Sequence, residues 1–127
     1  MAFIKFTESG RSFSPRATIS TYGTLSFSDG ARWRFSLDTY AYAILYYDPD
    51  TRRIGIELTN ERDAKGTRKL RHRKTGSDMA VKPFLDYFSI HIETTTLYDI
   101  ARDRKSGMLV IDLKTGRPRR TKKEHGK

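Results

Sequence analysis

The sequence predicts a mainly β fold of the α+β kind, built from two tandem ββαββ repeats that intertwine as a barrel-like pseudo-dimer. Three observations carry this. Short apolar segments alternate with a period of two, turn residues separate them, and matching landmarks recur 53 to 55 positions apart.

The clearest segment is 40–47 (Tyr-Ala-Tyr-Ala-Ile-Leu-Tyr-Tyr), which is aromatic-rich and β-prone. Asp48-Pro49-Asp50 follows as a turn, because Pro presets φ and an Asp side chain can close the chain reversal. Ile54, Ile56 and Leu58 then alternate as a half-buried strand, completing a hairpin. A second hairpin has the same shape: Thr95 to Arg102 as strand, Asp103-Arg104-Lys105-Ser106-Gly107 as turn, and Leu109, Ile111 and Leu113 as the returning apolar face. Upstream, Ala17–Phe27 reads as strand, Gly23, strand. A short helical stretch follows, with Asp29 as its cap and Ala31, Trp33, Phe35 and Leu37 as apolar content. Arg68–Thr75, Gly76, Met79 and Val81 repeat that order, and Pro83 opens a second short helix with Phe84, Leu85 and Phe88 on one face. Gly23 to Gly76 and Leu37 to Ile90 are both offsets of 53, and Ile54 to Leu109 is 55.

These landmarks place one domain over residues 1–113, made of repeats at about 16–58 and 68–113 and joined by the polar connector 59–67. Glycine turns and alternating strands are common enough to recur by chance, so coincidence is the competing explanation. A unit of roughly 40 residues buries too little apolar surface to be stable alone, so duplication would require the two copies to pack or interleave. The N-terminal Met-Ala-Phe-Ile-Lys-Phe-Thr-Glu also alternates like a strand, and it lacks the apolar core of a signal peptide.

Composition narrows the function classes. There is no Cys, so disulfides and thiolate metal sites are excluded. No apolar run approaches the roughly 20 residues that span a bilayer, which sets a cytoplasmic location without a membrane as the expectation. His72, His91 and His125 share no metal-ligand spacing, so no metal is expected. Asp48 and Asp50 straddle Pro49 in a turn, which suits them poorly to general acid–base work. Gly107 and Gly116 stand alone, and no phosphate-binding glycine loop occurs. The chain is expected not to be an enzyme, with no catalytic residue and no cofactor.

Charge is the positive signal. The net charge is +10, and residues 61–74 contribute +5 while 114–127 contribute +6, leaving the rest of the chain at −1. Positive charge gathered into short segments suits counterion release from a polyanion. In 68–74 (Arg-Lys-Leu-Arg-His-Arg-Lys), alternation places Lys69, Arg71 and Arg73 on one face, with Arg68, Leu70, His72 and Lys74 on the other. Cations at every second position of a strand lie roughly 6.5–7 Å apart, close to the phosphate repeat of a nucleic-acid chain. A charged edge strand that blocks aggregation is the plainer explanation. The tail 114–127 holds few apolar residues and is expected to be disordered, a basic arm carrying Arg117, Arg119, Arg120, Lys122 and Lys123; its plainer role is solubility. Tyr40, Tyr42, Tyr46 and Tyr47, with Trp33 and Phe35, either form the core of a small β domain or present one aromatic face to bases.

The strand–glycine–strand–short helix–hairpin order resembles the AbrB/SpoVT type of swapped-hairpin barrel, and its repetition resembles the tandem MraZ arrangement. The residues that carry the resemblance are Gly23-Thr24-Leu25-Ser26-Phe27-Ser28-Asp29-Gly30-Ala31-Arg32, which keep the glycine, the apolar pair and the Arg of that family's motif. Thr24 stands where the family favours Arg, and Ser28 where it favours Pro. The second copy, Gly76 to Pro83, is one residue longer and keeps the Pro. The resemblance covers residues 16–113 and implies a DNA-binding barrel.

Together these readings give an expectation of nucleic-acid binding, duplex DNA favoured, in a regulatory or architectural role. Arg68, Lys69, Arg71, Arg73 and Lys74, with Arg32, Arg34 and the cations of the tail, would make the contacts. The alternatives are a single-stranded DNA or RNA binder using an aromatic sheet face, and a structural or protein-interaction module with no nucleic-acid role. Fused repeats remove the need for a homodimer without preventing one.

Overall fold

The computed structural model describes residues 14–74 and 76–118. Its elements are β1 (Arg16–Ile19), β2 (Thr24–Phe27), α1 (Asp29–Arg34), β3 (Tyr42–Asp48), β4 (Arg53–Thr59), β5 (Thr67–Lys69), β6 (Arg71–Arg73), β7 (Gly76–Ala80), α2 (Lys82–Tyr87), β8 (Thr96–Arg102), β9 (Leu109–Asp112) and β10 (Arg117–Pro118). The strand-like segment at the N-terminus and residues 119–127 lie outside the described residues.

The alternation in the sequence becomes the two sides of a sheet. In β1 and β2, Ala17, Ile19, Leu25 and Phe27 are buried, and the register Ala17↔Phe27 and Ile19↔Leu25 sets them side by side on one face. The turn between these strands needs Gly23, at φ +82°. A Cβ there would meet the Cβ of Lys82 at 2.5 Å, so the turn sits directly on the start of α2.

Both helices are short, and each ends in the same way. The cap of α1 is Ser28, not Asp29 as the sequence suggests. Ser28 leaves β2 with extended backbone, and its Oγ accepts the Ala31 N–H at 3.1 Å and the Arg16 N–H at 2.9 Å. Asp29 is the first helical residue, where its charge complements the helix dipole. Helix α2 has Pro83 in its first turn, as anticipated. After each helix a serine takes the left-handed conformation, Ser36 at φ 52° and Ser89 at φ 55°.

All strand pairs are antiparallel, in the order β5-β3-β4-β9-β8-β1-β2-β7-β6, with β10 added beside β8. The two ends of this order, β5 and β6, are consecutive in the chain and separated by Leu70 alone. One run of residues, 67–73, therefore pairs with β3 through its first part and with β7 through its second. This gives a nearly closed antiparallel barrel, mainly β with two short helices. Leu70 is 3% exposed and its N–H donates to the Ala41 carbonyl at 2.9 Å. The core gathers residues from every part of the order, including Ile54, Ile56, Leu70, Met79, Phe84, Tyr98, Ile100, Leu109 and Ile111.

Pairing across the 60–66 connector is as extensive as pairing within either side of it. β1–β8, β2–β7, β3–β5 and β4–β9 join the two sides, whereas β1–β2, β3–β4, β6–β7 and β8–β9 lie within one. Residues 114–118, expected in the disordered tail, belong to the barrel instead. Leu113–Thr115 make a 3-10 turn capped by Asp112, and Arg117 and Pro118 pair with Leu97 and Thr96 of β8. Their backbone groups find partners despite the low apolar content.

Two outcomes follow. Leu70→Ala should lower the unfolding free energy by about 2–5 kcal/mol in urea denaturation, as for other buried Leu truncations. Fragments 1–62 and 63–127 should each lack a cooperative unfolding transition, yet copurify and regain one when coexpressed; a fragment that folds alone would contradict the interleaved pairing.

Candidate nucleic-acid interface

The candidate surface begins with the run 67–73. Leu70 turns into the core, while His72 stays exposed but is tied to the barrel by both ring nitrogens. The His72 Nε2 lies 2.7 Å from the Tyr40 carbonyl oxygen and its Nδ1 lies 2.7 Å from the Ser77 Oγ. A carbonyl only accepts, so Nε2–H donates to Tyr40, and in the neutral ring Nδ1 accepts from the Ser77 hydroxyl. Ser77 is 1% exposed, so His72 supplies a partner that water cannot. This histidine is a structural fastener between β6, β7 and the segment that precedes β3.

Lys69, Arg71 and Arg73 are exposed, as are His72 and Lys74, so Leu70 alone of 69–74 is buried. The cations are not equally free. The register Arg71↔Asp78 brings the Arg71 Nε to 2.6 Å from Asp78 Oδ1, and Asp78 Oδ2 lies 3.7 Å from the Arg73 Nε. One carboxylate of β7 thus serves two guanidiniums. Both arginines remain well exposed, so this is a surface contact that steadies the side chains more than it stabilises the fold. Lys69, Lys74 and the half-buried Arg68 have no ion pair among the described residues. Five cations against one carboxylate leave this strand and its turn at a net +4.

The other predicted contact residues are distributed unevenly. Arg32 and Arg34 lie in the last turn of α1, which packs against β1, β2 and β7. The helix thus adjoins β7, the strand that pairs β6, and no ion pair engages either arginine among the described residues. Arg117 is drawn instead to Asp99 of β8, Nη2 to Oδ1 3.3 Å, a carboxylate it shares with Arg16 at 3.7 Å. Arg119, Arg120, Lys122 and Lys123 lie outside the described residues.

The aromatic residues divide in an unexpected way. Tyr40 and Tyr47 pack against the core, Tyr47 with ring centroids 5.0 Å from Phe88 and 6.3 Å from Phe84. Phe35 is buried beneath the Arg102 guanidinium, 5.6 Å from its ring centre. Tyr46 is half-exposed, its hydroxyl donating to Glu57 Oε1 at 2.6 Å, and that bond raises its pKa above the ordinary phenol value. Trp33, expected among the apolar content of its helix, is 67% exposed. Ala31 and Phe35, four residues apart, share the buried face of α1, and Trp33 between them points away. Trp33 borders a groove of about 390 Å³ with Asp29, Arg32, Ser36, Asp38 and Thr39.

Other perturbed groups belong to turns and core. Asp48 and Asp103 are held below the usual carboxylate range by their turns, Asp48 by Thr51 and the Asp50 N–H and Asp103 chiefly by the Ser106 hydroxyl. Burial raises the Tyr98 phenol. Among the described residues no group of three His, Cys, Asp or Glu is placed to hold a metal, and no helix is long and apolar enough to cross a membrane.

Sequence reasoning misses Asp78, Ser77 and Asp99, the groups that anchor the basic strand and Arg117. No protein-family model, curated protein or solved structure matches this chain.

His72→Ala should cost about 1–3 kcal/mol in chemical denaturation, since it leaves the buried Ser77 hydroxyl and the Tyr40 carbonyl without a protein partner. Ser77→Ala combined with His72→Ala should cost less than the two single changes added together, the signature of a shared hydrogen bond.

Proposed function

We propose that the protein binds nucleic acid along the outer face of β5 and β6, as a regulatory or architectural protein and not a catalyst. The observation that carries this is the row Lys69, Arg71 and Arg73, all exposed, on a run anchored to the barrel by the buried Leu70 and by the bonds of His72 to Tyr40 and Ser77. A rigid row of cations pays little ordering cost when it meets a row of phosphates. Asp78 supports the reading as well as tempering it. By bridging Arg71 and Arg73 it holds both guanidiniums on the strand, and their remaining N–H groups stay exposed for phosphate oxygens. The face engages one phosphate chain, and duplex DNA is the form we propose for that contact. Residues 119–127 would add sequence-independent attraction.

We also infer a duplicated ββαββ origin and a pseudo-dimeric barrel of the AbrB/SpoVT type. Exchanging β1, β2, β3 and β4 for β5–β6, β7, β8 and β9 leaves the order of neighbours around the barrel unchanged, which supports this. Ser36 and Ser89 share a left-handed backbone at an offset of 53, and Phe35 and Phe88, also 53 apart, close their helices through equivalent bonds to Ala31 and Phe84. The second half carries Lys69, Arg71 and Arg73 where an offset of 53 puts Arg16, Thr18 and Ser20 in the first. The charged face is thus a property of one half only.

An anisotropy titration with a labelled duplex tests the reading. If Lys69, Arg71 and Arg73 each meet a phosphate, affinity should fall roughly 40-fold between 50 and 200 mM salt. Lys69→Ala should reduce the slope of log affinity against log salt by about one. Asp78→Asn should strengthen binding while costing about 1 kcal/mol or less in stability. Affinity indifferent to salt, or to these changes, would remove the proposal.

A further inference from the structure

We propose that Trp33 is a stacking platform for a single unpaired nucleobase, with the carboxylates of Asp29 and Asp38 accepting from that base's amino edge. This rests on the nucleic-acid reading above and adds what part of the ligand the second contact takes.

The argument starts from exposure. A Trp that leaves two thirds of its surface in water, on a helix whose other face is buried, forgoes much of the apolar gain it could contribute to folding. Its surroundings favour a base over other partners. Arg32 and Arg34 flank it in the sequence, and neither is paired with a carboxylate among the described residues. The groove beside the ring is lined by Asp29 and Asp38, whose carboxylates have no ion pair or side-chain hydrogen bond among the described residues. A phosphate would be repelled from such a wall. A neutral base bearing an amino group, as cytosine does, would place its face on the indole and its amino group against a carboxylate.

The groove also adjoins the charged strand. Its far wall is Thr39, and the next residue, Tyr40, gives its carbonyl to His72, between Arg71 and Arg73. That wall is fixed in place. Asn60 donates to the Thr39 carbonyl at 3.0 Å and accepts the Ala41 N–H at 2.8 Å, while the Thr39 hydroxyl donates to the Ser36 carbonyl at 2.7 Å. The slot beside Trp33 is thus tied to the charged strand through Tyr40 and His72, and a nucleic-acid chain held by Arg71 and Arg73 is the ligand that would offer it a base. The base it offers there must be unpaired, because an indole cannot reach the face of a base inside a duplex.

Trp33 is the single tryptophan of the chain, so its fluorescence reports this site alone. The intact protein would be titrated with labelled oligo-dC of eight residues, the same length of oligo-dT, a blunt duplex, and that duplex with a dC overhang. Anisotropy and Trp fluorescence would be read together. Oligo-dC and the overhang should quench Trp33 with the midpoint seen by anisotropy, oligo-dT should bind more weakly, and the blunt duplex should bind without quenching. Trp33→Ala should weaken oligo-dC roughly 5- to 100-fold, leave the blunt duplex unchanged, and leave the urea midpoint nearly unmoved. Salt-sensitive binding of all four probes with unaltered fluorescence, or equal affinity for oligo-dT and oligo-dC, would overturn this proposal and leave the backbone reading standing. Failure of every probe to bind would remove both.

Discussion

The closure of the strand order at Leu70 is the constraint on which the rest of the molecule depends. Residues 67–69 complete one end of the sheet and residues 71–73 the other, so a single buried leucine sits where the two ends meet. An open sheet of this length would expose two rows of unpaired N–H and C=O groups. Sharing both ends on one continuous run reduces that liability to two three-residue strands, one paired with β3 and the other with β7. The outward direction of Lys69 and Arg71 follows from the inward direction of Leu70, because successive residues of a strand face opposite ways.

The same run therefore carries structural contacts and charge, and the two are chemically coupled through β7. The buried Ser77 bonds His72, and its neighbour Asp78 bridges Arg71 and Arg73. A substitution in β7 would thus be felt by both. On the other side of the connector, the Arg16 of β1 is already committed to Asp99.

Much of this was legible in the sequence, for definable reasons. The hairpins 42–59 and 96–112, the turns at Asp48 and Asp103 and the helix at Pro83 are local, and local periodicity and turn chemistry specify them. The alternation of 68–74 is less well kept, since Leu70 is buried but His72 and Lys74 are exposed like the cations between them. What escapes is set by register and by packing across the chain. Asp78 meets Arg71 only because β6 and β7 pair in one particular alignment. Residues 114–118 look too polar to fold, yet their backbone finds β8. Trp33 reads as core by composition, but a six-residue helix has one buried face, and Ala31 and Phe35 occupy it. Ser28 rather than Asp29 caps that helix because the strand before it delivers Ser28 with extended backbone.

The interleaving of strands has a consequence in time. β1 finds its neighbour in β8 and β4 finds its neighbour in β9, so contacts that hold the earliest strands wait for residues near the end of the chain. Such topologies have high contact order and close slowly, because loop entropy is lost before the distant pairs reward it. On a ribosome, the first half would emerge with the edges of β1 and β3 still lacking partners, and would mature only once the second half had left the exit tunnel.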